Sequence, residues 1–519
     1  MLRVLAAVAA VLILTTTTAT AGETPAPNPW TGPDGTSSMH GDSAASDTTP
    51  YAGPGADARA GRAITLPAVC PTILAGADGL IQALCTEYAD QTPSLYLIDP
   101  ATLLPVAREH LTSGSLLGGV YAYVDHEDRL VTADGTGAIL WLGHTRDDLG
   151  TWRIETSRTV PVALPDGDAI TSVAPGYDGT VWFATGAGRA GFVALDDTVH
   201  YATLGAGDET VANSIATSPT GVAVTTDHAT YLLRRSGDAV RMVWRQAYDR
   251  GSARKPGQLS WGSGSTPTFF GPHTGGDYVV ITDNARPQEN LLVYRADTGR
   301  QVCSLPAFDA DNSGTENSPL AFGSSIYLAS TYGYPYPSQA TADAGTADPE
   351  SADFVGGFQR FDLHERTTTR TTYVRETRLN HRKRLRLQRA LAHARRVHAP
   401  RHRIRVLRKR IAHLRSLYGP HTTSTTETTC TSAWKNRISS AAVPRLSRAE
   451  GVIYTVERGT SGLTWSLDRI SPATGEVLSS TSLGIGPQSD TLQMVGTILP
   501  DGTLLQGTIT GLVAVRPAS

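Results

Sequence analysis

The chain has 519 residues, is rich in Gly (51) and Pro (31), carries only 18 % charged residues and has a formal net charge of −3. This turn-heavy composition, with few long helix-period apolar stretches, excludes a helical bundle and suits an all-β fold. The near-neutral balance hides an asymmetry: residues 366–415 hold 18 Lys or Arg and one acid, so that stretch carries +17 and the remainder −20.

Residues 1–21 have the pattern of a cleavable signal peptide. Arg3 supplies the positive start, Val4 to Leu14 a short apolar core, and Ala19-Thr20-Ala21 a small-x-small cleavage site before Gly22. The core is too short to cross a bilayer, and no later segment is apolar enough to do so. The expectation is a secreted or extracytoplasmic chain with no transmembrane span. Residues 22–62, rich in Pro, Gly, Ala, Ser and Thr, read as a disordered leader.

Four cysteines remain, and an exported chain meets oxidising conditions. Cys70 and Cys85 flank a turn at Ala77-Asp78 symmetrically. A hairpin there sets the two Cβ atoms opposite each other and predicts a disulfide. Cys303 and Cys430 fall on outer strands of neighbouring repeats, a separation that argues against a bridge.

From residue 63 onward one unit recurs: an alternating strand, a tight turn, and a second apolar strand. The turns centre on Asp78, Asp128, Asp178, Thr220, Gly276, Ser324, Glu450 and Asp501. The spacing is about 50 residues except between Ser324 and Glu450, where one insertion intervenes. Asp-Gly at such turns is a strong hairpin signal because both positions must tolerate positive φ. Second strands such as Asp277–Thr282 and Ser325–Ser330 read as buried. The last unit supplies three strands, and Ala63 to Val69 can provide the fourth. That pairing closes a ring and removes exposed sheet edges.

Outer hairpins are clearest at Val293-Tyr-Arg-Ala-Asp-Thr-Gly-Arg-Gln-Val302 and Leu467-Asp-Arg-Ile-Ser-Pro-Ala-Thr-Gly-Glu-Val-Leu478. These resemble the repeats of the quinoprotein-like (PQQ-like repeat) β-propellers. The resemblance implies an all-β, eight-bladed β-propeller over residues 63–519. The family includes cofactor-dependent dehydrogenases as well as non-enzymatic scaffolds. Its enzymes carry adjacent cysteines near the quinone and a Trp after the Thr-Gly turn. This chain has no adjacent cysteines, and Val302 and Val477 stand in the Trp region, so no PQQ is expected.

The insertion, residues 366–418 within blade six, loses β character. A helix is expected from Arg375 to His398 and, after Ala399-Pro400, a second from Arg401 to Tyr418. Ile404, Leu407, Ile411, Leu414 and Tyr418 form an apolar seam, matched by Leu387, Leu391 and Ala394. The expectation is a basic antiparallel helical hairpin. Its candidate anion-binding residues are Arg382, Lys383, Arg384, Arg386, Arg395, Arg396, Arg408, Lys409 and Arg410. An anionic cell-envelope surface is the favoured partner. Nucleic acid is disfavoured because the segment lacks aromatics to stack bases.

A second candidate is the loop Asp309–Asn317. Asp309, Asp311, Ser313 and Thr315, with Gly314 in sixth position, match the first half of a calcium loop, and Asn317 lies beside them. Position twelve is Leu320 rather than Glu, so calcium would need distant ligands, with Asp283 and Asn284 as neighbours. The Tyr332–Tyr336 stretch is expected on the same side, as a long surface loop or a patch for sugars or a peptide. Nucleophile-elbow, zincin and phosphate-loop motifs are absent from the sequence. The residues expected at the axis (Thr72, Ser172, Asn213, Ser265, Thr266 and Ser318) are small and neutral and supply no acid–base pair. The sequence therefore reads as a secreted, monomeric, non-catalytic binding propeller. Its partner is a protein, a carbohydrate or the anionic envelope. The alternative is a calcium-dependent lactonase-like hydrolase or a quinoprotein-type oxidoreductase.

Overall fold

A computed structural model describes residues 22–114, 120–342, 344–374 and 376–518. The signal peptide expected at residues 1–21, and Arg375 at the expected start of the first helix, lie outside the described residues. The chain forms two compact units. One comprises the residues up to Leu363 together with Cys430–Ser519, and the other is His364–Thr429.

Among the described residues the first unit is a β-propeller of eight sheets; seven have four strands and one has five, and the strands run in chain order except where N-terminal strands join the seventh and eighth sheets. The first sheet runs from Ala68–Ala75 to Leu104–His110, the fifth from Thr268–Phe270 to Gln301–Pro306, and the sixth from Leu320–Phe322 to Gly419–Asn436. The seventh runs from Arg445–Ser447 to Val477–Ile485. The eighth takes Thr497–Ile498, Leu504–Thr508 and Gly511–Arg516 from the C-terminal end, and its fourth strand is Arg59–Thr65, antiparallel to Gly511–Arg516. All eight turns singled out in the sequence join first to second strands. At the third sheet Gly179 has φ +84°, a conformation that Gly adopts without steric cost.

Alternation along the strands builds the ring. Successive side chains point to opposite faces, so each inner strand can bury residues against both neighbouring sheets. In the fifth sheet Phe269 and Val279 pack with Ala223, Leu232 and Trp244 of the fourth. Tyr278 and Val280 pack with Ile326, Leu328 and Phe361 of the sixth. The same arrangement recurs at every junction, ending with Leu505, Leu512 and Ala514 of the eighth sheet against Ile73, Ile81 and Ala83 of the first. Second strands such as Tyr278–Thr282 are buried throughout, whereas outer strands such as Gln301–Pro306 are largely exposed on one face.

The segment expected to be a disordered leader is ordered and packed. Residues 28–49 run along the inner strands, whose inner edges would otherwise present unpaired backbone groups. Backbone amides of Ala75, Val124, Thr217, Phe269, Ala321 and Leu446 donate to carbonyls of Thr36, Ser37, Ser43, Ala44, Ser46 and Asp47. The Asn28 amide donates to the Pro175 carbonyl at 3.0 Å. Thr48–Thr49 pairs parallel with the first strand of the seventh sheet. The segment therefore bonds to seven sheets, and the strand after it completes the eighth. Its order comes from partners rather than from its own apolar content. Gly41, at φ +84°, is fixed by crowding: a Cβ there would lie 2.1 Å from the Thr48 carbonyl oxygen.

Cys70 and Cys85 are joined in a disulfide between the first two strands of the first sheet. Cys303 and Cys430 are also joined, which corrects the expectation that they stand too far apart. The outer strands of the fifth and sixth sheets approach there to a Cα–Cα distance of 5.9 Å, and both cysteines pack on the apolar cluster between the sheets.

The second unit contains α1 (Arg378–Arg396) and α2 (Arg401–Ser416), which pack on each other. Thr377 caps α1, its hydroxyl accepting from the Asn380 amide at 3.3 Å. Ala394, Ile411 and Leu414 are buried, and Leu387, Leu391, Ile404, Leu407 and Tyr418 are half-buried.

Candidate functional site

A cavity of about 520 Å³ lies on the propeller axis. Its wall is built from residues at or just before the first strands of seven sheets, among them Val69, Tyr121, Asn213, Thr266, Ser318, Val443 and Val495. Met39 and His40 of the N-terminal segment join them. Tyr336, Pro337, Gln339 and Ala340 come from the long connection between the second and third strands of the sixth sheet. Apolar atoms dominate the lining, with a few polar groups among them, which is the usual make-up of a small-molecule site.

The Tyr332–Tyr336 stretch is therefore not a free surface loop. Tyr332 and Tyr334 are buried. Tyr334 hydrogen-bonds Asp490 and packs tilted against Tyr336 and edge-to-face with Phe354, with ring centroids about 5 Å apart.

The axis also carries ionisable groups that the expected row of small neutral residues lacks. His40 Nδ1 lies 2.9 Å from Asp47 Oδ1 and 3.2 Å from Ser318 Oγ, and the Ser318 hydroxyl donates to the other Asp47 oxygen. Ser318 and Asp47 thus sit on the same imidazole nitrogen. A nucleophilic triad needs them on opposite nitrogens, so this set does not activate the serine. It fixes the ring instead, and leaves the buried Nε2 without a hydrogen-bond partner. Across the cavity, Glu87 accepts from the Tyr96 hydroxyl at 2.6 Å and lies 3.7 Å from Arg108.

Glu316 is the outlier. Burial, reinforced by the charge of Glu289, pushes its carboxyl up to about 8. Its Oε2 is buried with no hydrogen-bond partner. Burial raises the phenols of Tyr121 and Tyr336 above their ordinary value, with the Glu316 charge as the next cause.

In the expected calcium loop the side chains of Asp309, Ser313, Thr315 and Asn317 are engaged with different partners. Asp309 is exposed and pairs with the Lys435 ammonium. Asp311 is exposed, with φ +65°. The Ser313 hydroxyl donates to the Ala307 carbonyl and accepts from the Glu289 amide, both at 2.9 Å. Thr315 donates to the Ala329 carbonyl, and the Asn317 amide donates to Gln493 at 3.0 Å. Asp283 accepts from the backbone and side chain of Asn290, while the Asn284 amide donates to the Arg250 and Ala253 carbonyls. Among the described residues no group of three or more His, Cys, Asp or Glu stands ready for a metal.

In the second unit Glu376 binds Arg384 through two hydrogen bonds of 2.7 and 2.8 Å. Those bonds, with one from His381, hold its carboxyl down at about 2. Arg384 is half-buried beside it. Arg382, Lys383, Arg386, Arg395, Arg396, Arg408, Lys409 and Arg410 are all exposed.

The sequence could not place His40 and Asp47 at the axis, because composition marks their segment as disordered. The one local sign is a cluster of His40, Asp42 and Asp47 around Gly41 in a stretch otherwise poor in charge.

No protein-family model matches the chain. An uncharacterized protein of Archaeoglobus fulgidus is 38 % identical over 135 residues, which are 25 % of this chain and 26 % of that protein; the match thus spans about a quarter of the relative's length. Three solved structures are similar in fold at low identity. The BamB protein of Moraxella catarrhalis is 11 % identical, covering 75 % of this chain and 93 % of that one, with a TM-score of 0.34. The Dos1 propeller is 8 % identical, covering 88 % and 94 %, with a TM-score of 0.34. Quinohemoprotein alcohol dehydrogenase ADHIIG of Pseudomonas putida HK5 is 10 % identical, covering 93 % and 82 %, with a TM-score of 0.48. Among the described residues no helix is long and apolar enough to cross a membrane.

Proposed function

We propose that this chain is an extracytoplasmic, non-catalytic binding propeller that holds a small, mainly apolar ligand in the axial cavity. The observation that carries this reading is the cavity itself: about 520 Å³, walled by seven sheets, with few polar groups. A ligand that binds only the folded state stabilises it by about 2.7 kcal/mol at one hundred times its Kd. Denaturation midpoints are therefore expected to rise with a panel of apolar-bodied small molecules. Ala340→Trp, which fills the cavity from its covering loop, is expected to abolish the rise. A panel that shifts neither protein would end this reading.

The basic second unit serves in this proposal as an anchor on an anionic envelope surface. Eight of its nine candidate residues are exposed. Arginine predominates among them and suits bidentate contacts with phosphate or carboxylate. Deleting residues 366–418 is expected to release the protein from washed envelopes, with the remaining bound fraction insensitive to salt. Unchanged retention would remove the anchor.

A further inference from the structure

The cavity lining includes two carboxyls and an imidazole: Glu87, Glu316 and His40. Two have a counter-group built in. Glu87 has Tyr96 and Arg108, and His40 has Asp47. Glu316 has neither. The basic side chains on the adjoining segment are engaged elsewhere. Arg254 donates to the carbonyls of Gln258 and Gly345. Lys255 donates to the Ala285 carbonyl and pairs with Glu289. A buried carboxyl with an unsatisfied oxygen is costly in the empty site and gains strongly from a partner that supplies positive charge. Tyr121 and Tyr336, whose phenols feel the Glu316 charge, line the same cavity. Aromatic rings and a carboxyl lining one cavity supply what an organic ammonium requires: a low-dielectric wall, a quadrupole and one formal counter-charge.

We infer that the axial cavity takes a small organic cation, its ammonium or quaternary ammonium head set against Glu316 beside Tyr121 and Tyr336 and its apolar body filling the rest. The inference rests on the axial cavity being the ligand site. The empty site keeps Glu316 protonated at neutral pH, under the influence of Glu289, Arg254 and the two phenols. Binding a cation drives that proton off. The free-site proton opposes binding only below about pH 8, so affinity for a permanently charged ligand rises as pH rises towards 8 and levels off above it, by about tenfold per unit.

The test uses the full chain and three probes of one shape: benzyltrimethylammonium, its neutral isostere neopentylbenzene, and phenylacetate as the anion. Calorimetry at pH 6 to 9, in buffers of differing ionisation heat, reads affinity and protons released. The expected result is that the cation binds at least tenfold more tightly than the isostere at pH 8, with proton release at pH 7. Glu316→Gln is expected to lose both the cation preference and the pH dependence while still binding the isostere. Should that variant not fold, proton release by the unaltered protein decides the matter. Equal or tighter binding of the isostere, or cation binding without proton release at pH 7, overturns the inference and leaves the cavity as the ligand site. Binding of none of the three overturns both.

Discussion

Arg445→Met is expected to destabilise the protein by about 3–5 kcal/mol, the usual cost of breaking a buried ionic network from one side. Arg445 is only 2 % exposed and sits at the start of the seventh sheet's first strand. Its Nε and Nη2 donate to the Gly496 carbonyl at 3.2 and 2.9 Å, and Nη2 also donates to the Met39 carbonyl at 2.8 Å. One guanidinium thus ties the eighth sheet to the N-terminal segment while its charge reaches Asp47 and Asp42. Burial and the charge of Asp34 push Asp42 up to about 6. Methionine restores most of the volume but none of the charge or the three hydrogen bonds. Arg445→Lys keeps the charge without the planar fork and is expected to fall between the two. Urea unfolding at pH 7 measures the effect. A loss below about 1 kcal/mol for the methionine variant would show that the network does not hold the segment in place.

The second large effect concerns the bridge between the fifth and sixth sheets. Loop-closure entropy makes a disulfide more stabilising the longer the loop it closes, with about 3 kcal/mol for 15 residues and about 5 kcal/mol for loops somewhat over 100. Cys70–Cys85 closes a separation of 15, and Cys303–Cys430 one of 127 that contains the whole basic unit. The double variant Cys303→Ser/Cys430→Ser is therefore expected to lose more stability than Cys70→Ser/Cys85→Ser. The comparison is made by urea titration of both under oxidising conditions. The reverse order would mean that the basic unit already restrains its ends without the bond.

The ring was legible because its signals are local. Asp178-Gly179 needs a left-handed backbone, Tyr278–Thr282 needs two buried faces, and both needs are written in the residues themselves. The seam of Ile411, Leu414 and Ala394 was legible for the same reason. What the sequence hid is convergence. His40 meets Ser318 across 278 positions, and neither residue announces the other. Glu316 reads as one acid in a polar loop, because its burial is created by segments remote in sequence, such as the one holding Gly264. The N-terminal segment misled most, since low apolar content signals disorder only when no other chain surface offers hydrogen bonds. Here the inner strand edges do. The Cys303–Cys430 bridge escaped for a geometric reason: how closely two outer strands of neighbouring sheets approach is not written in either strand, and here the Cα atoms come within 5.9 Å.

The route of residues 28–49 also orders events in time. These residues are made before the sheets they join, yet Thr48 and Thr49 pair with Leu446 and Ser447, nearly four hundred positions later. Until the seventh sheet has formed, Thr48 and Thr49 lack the strand they pair with. Contacts so distant along the chain make for slow maturation. The half-built protein would meanwhile show bare sheet edges to its surroundings, so its yield should be governed by how well unfinished chains are shielded.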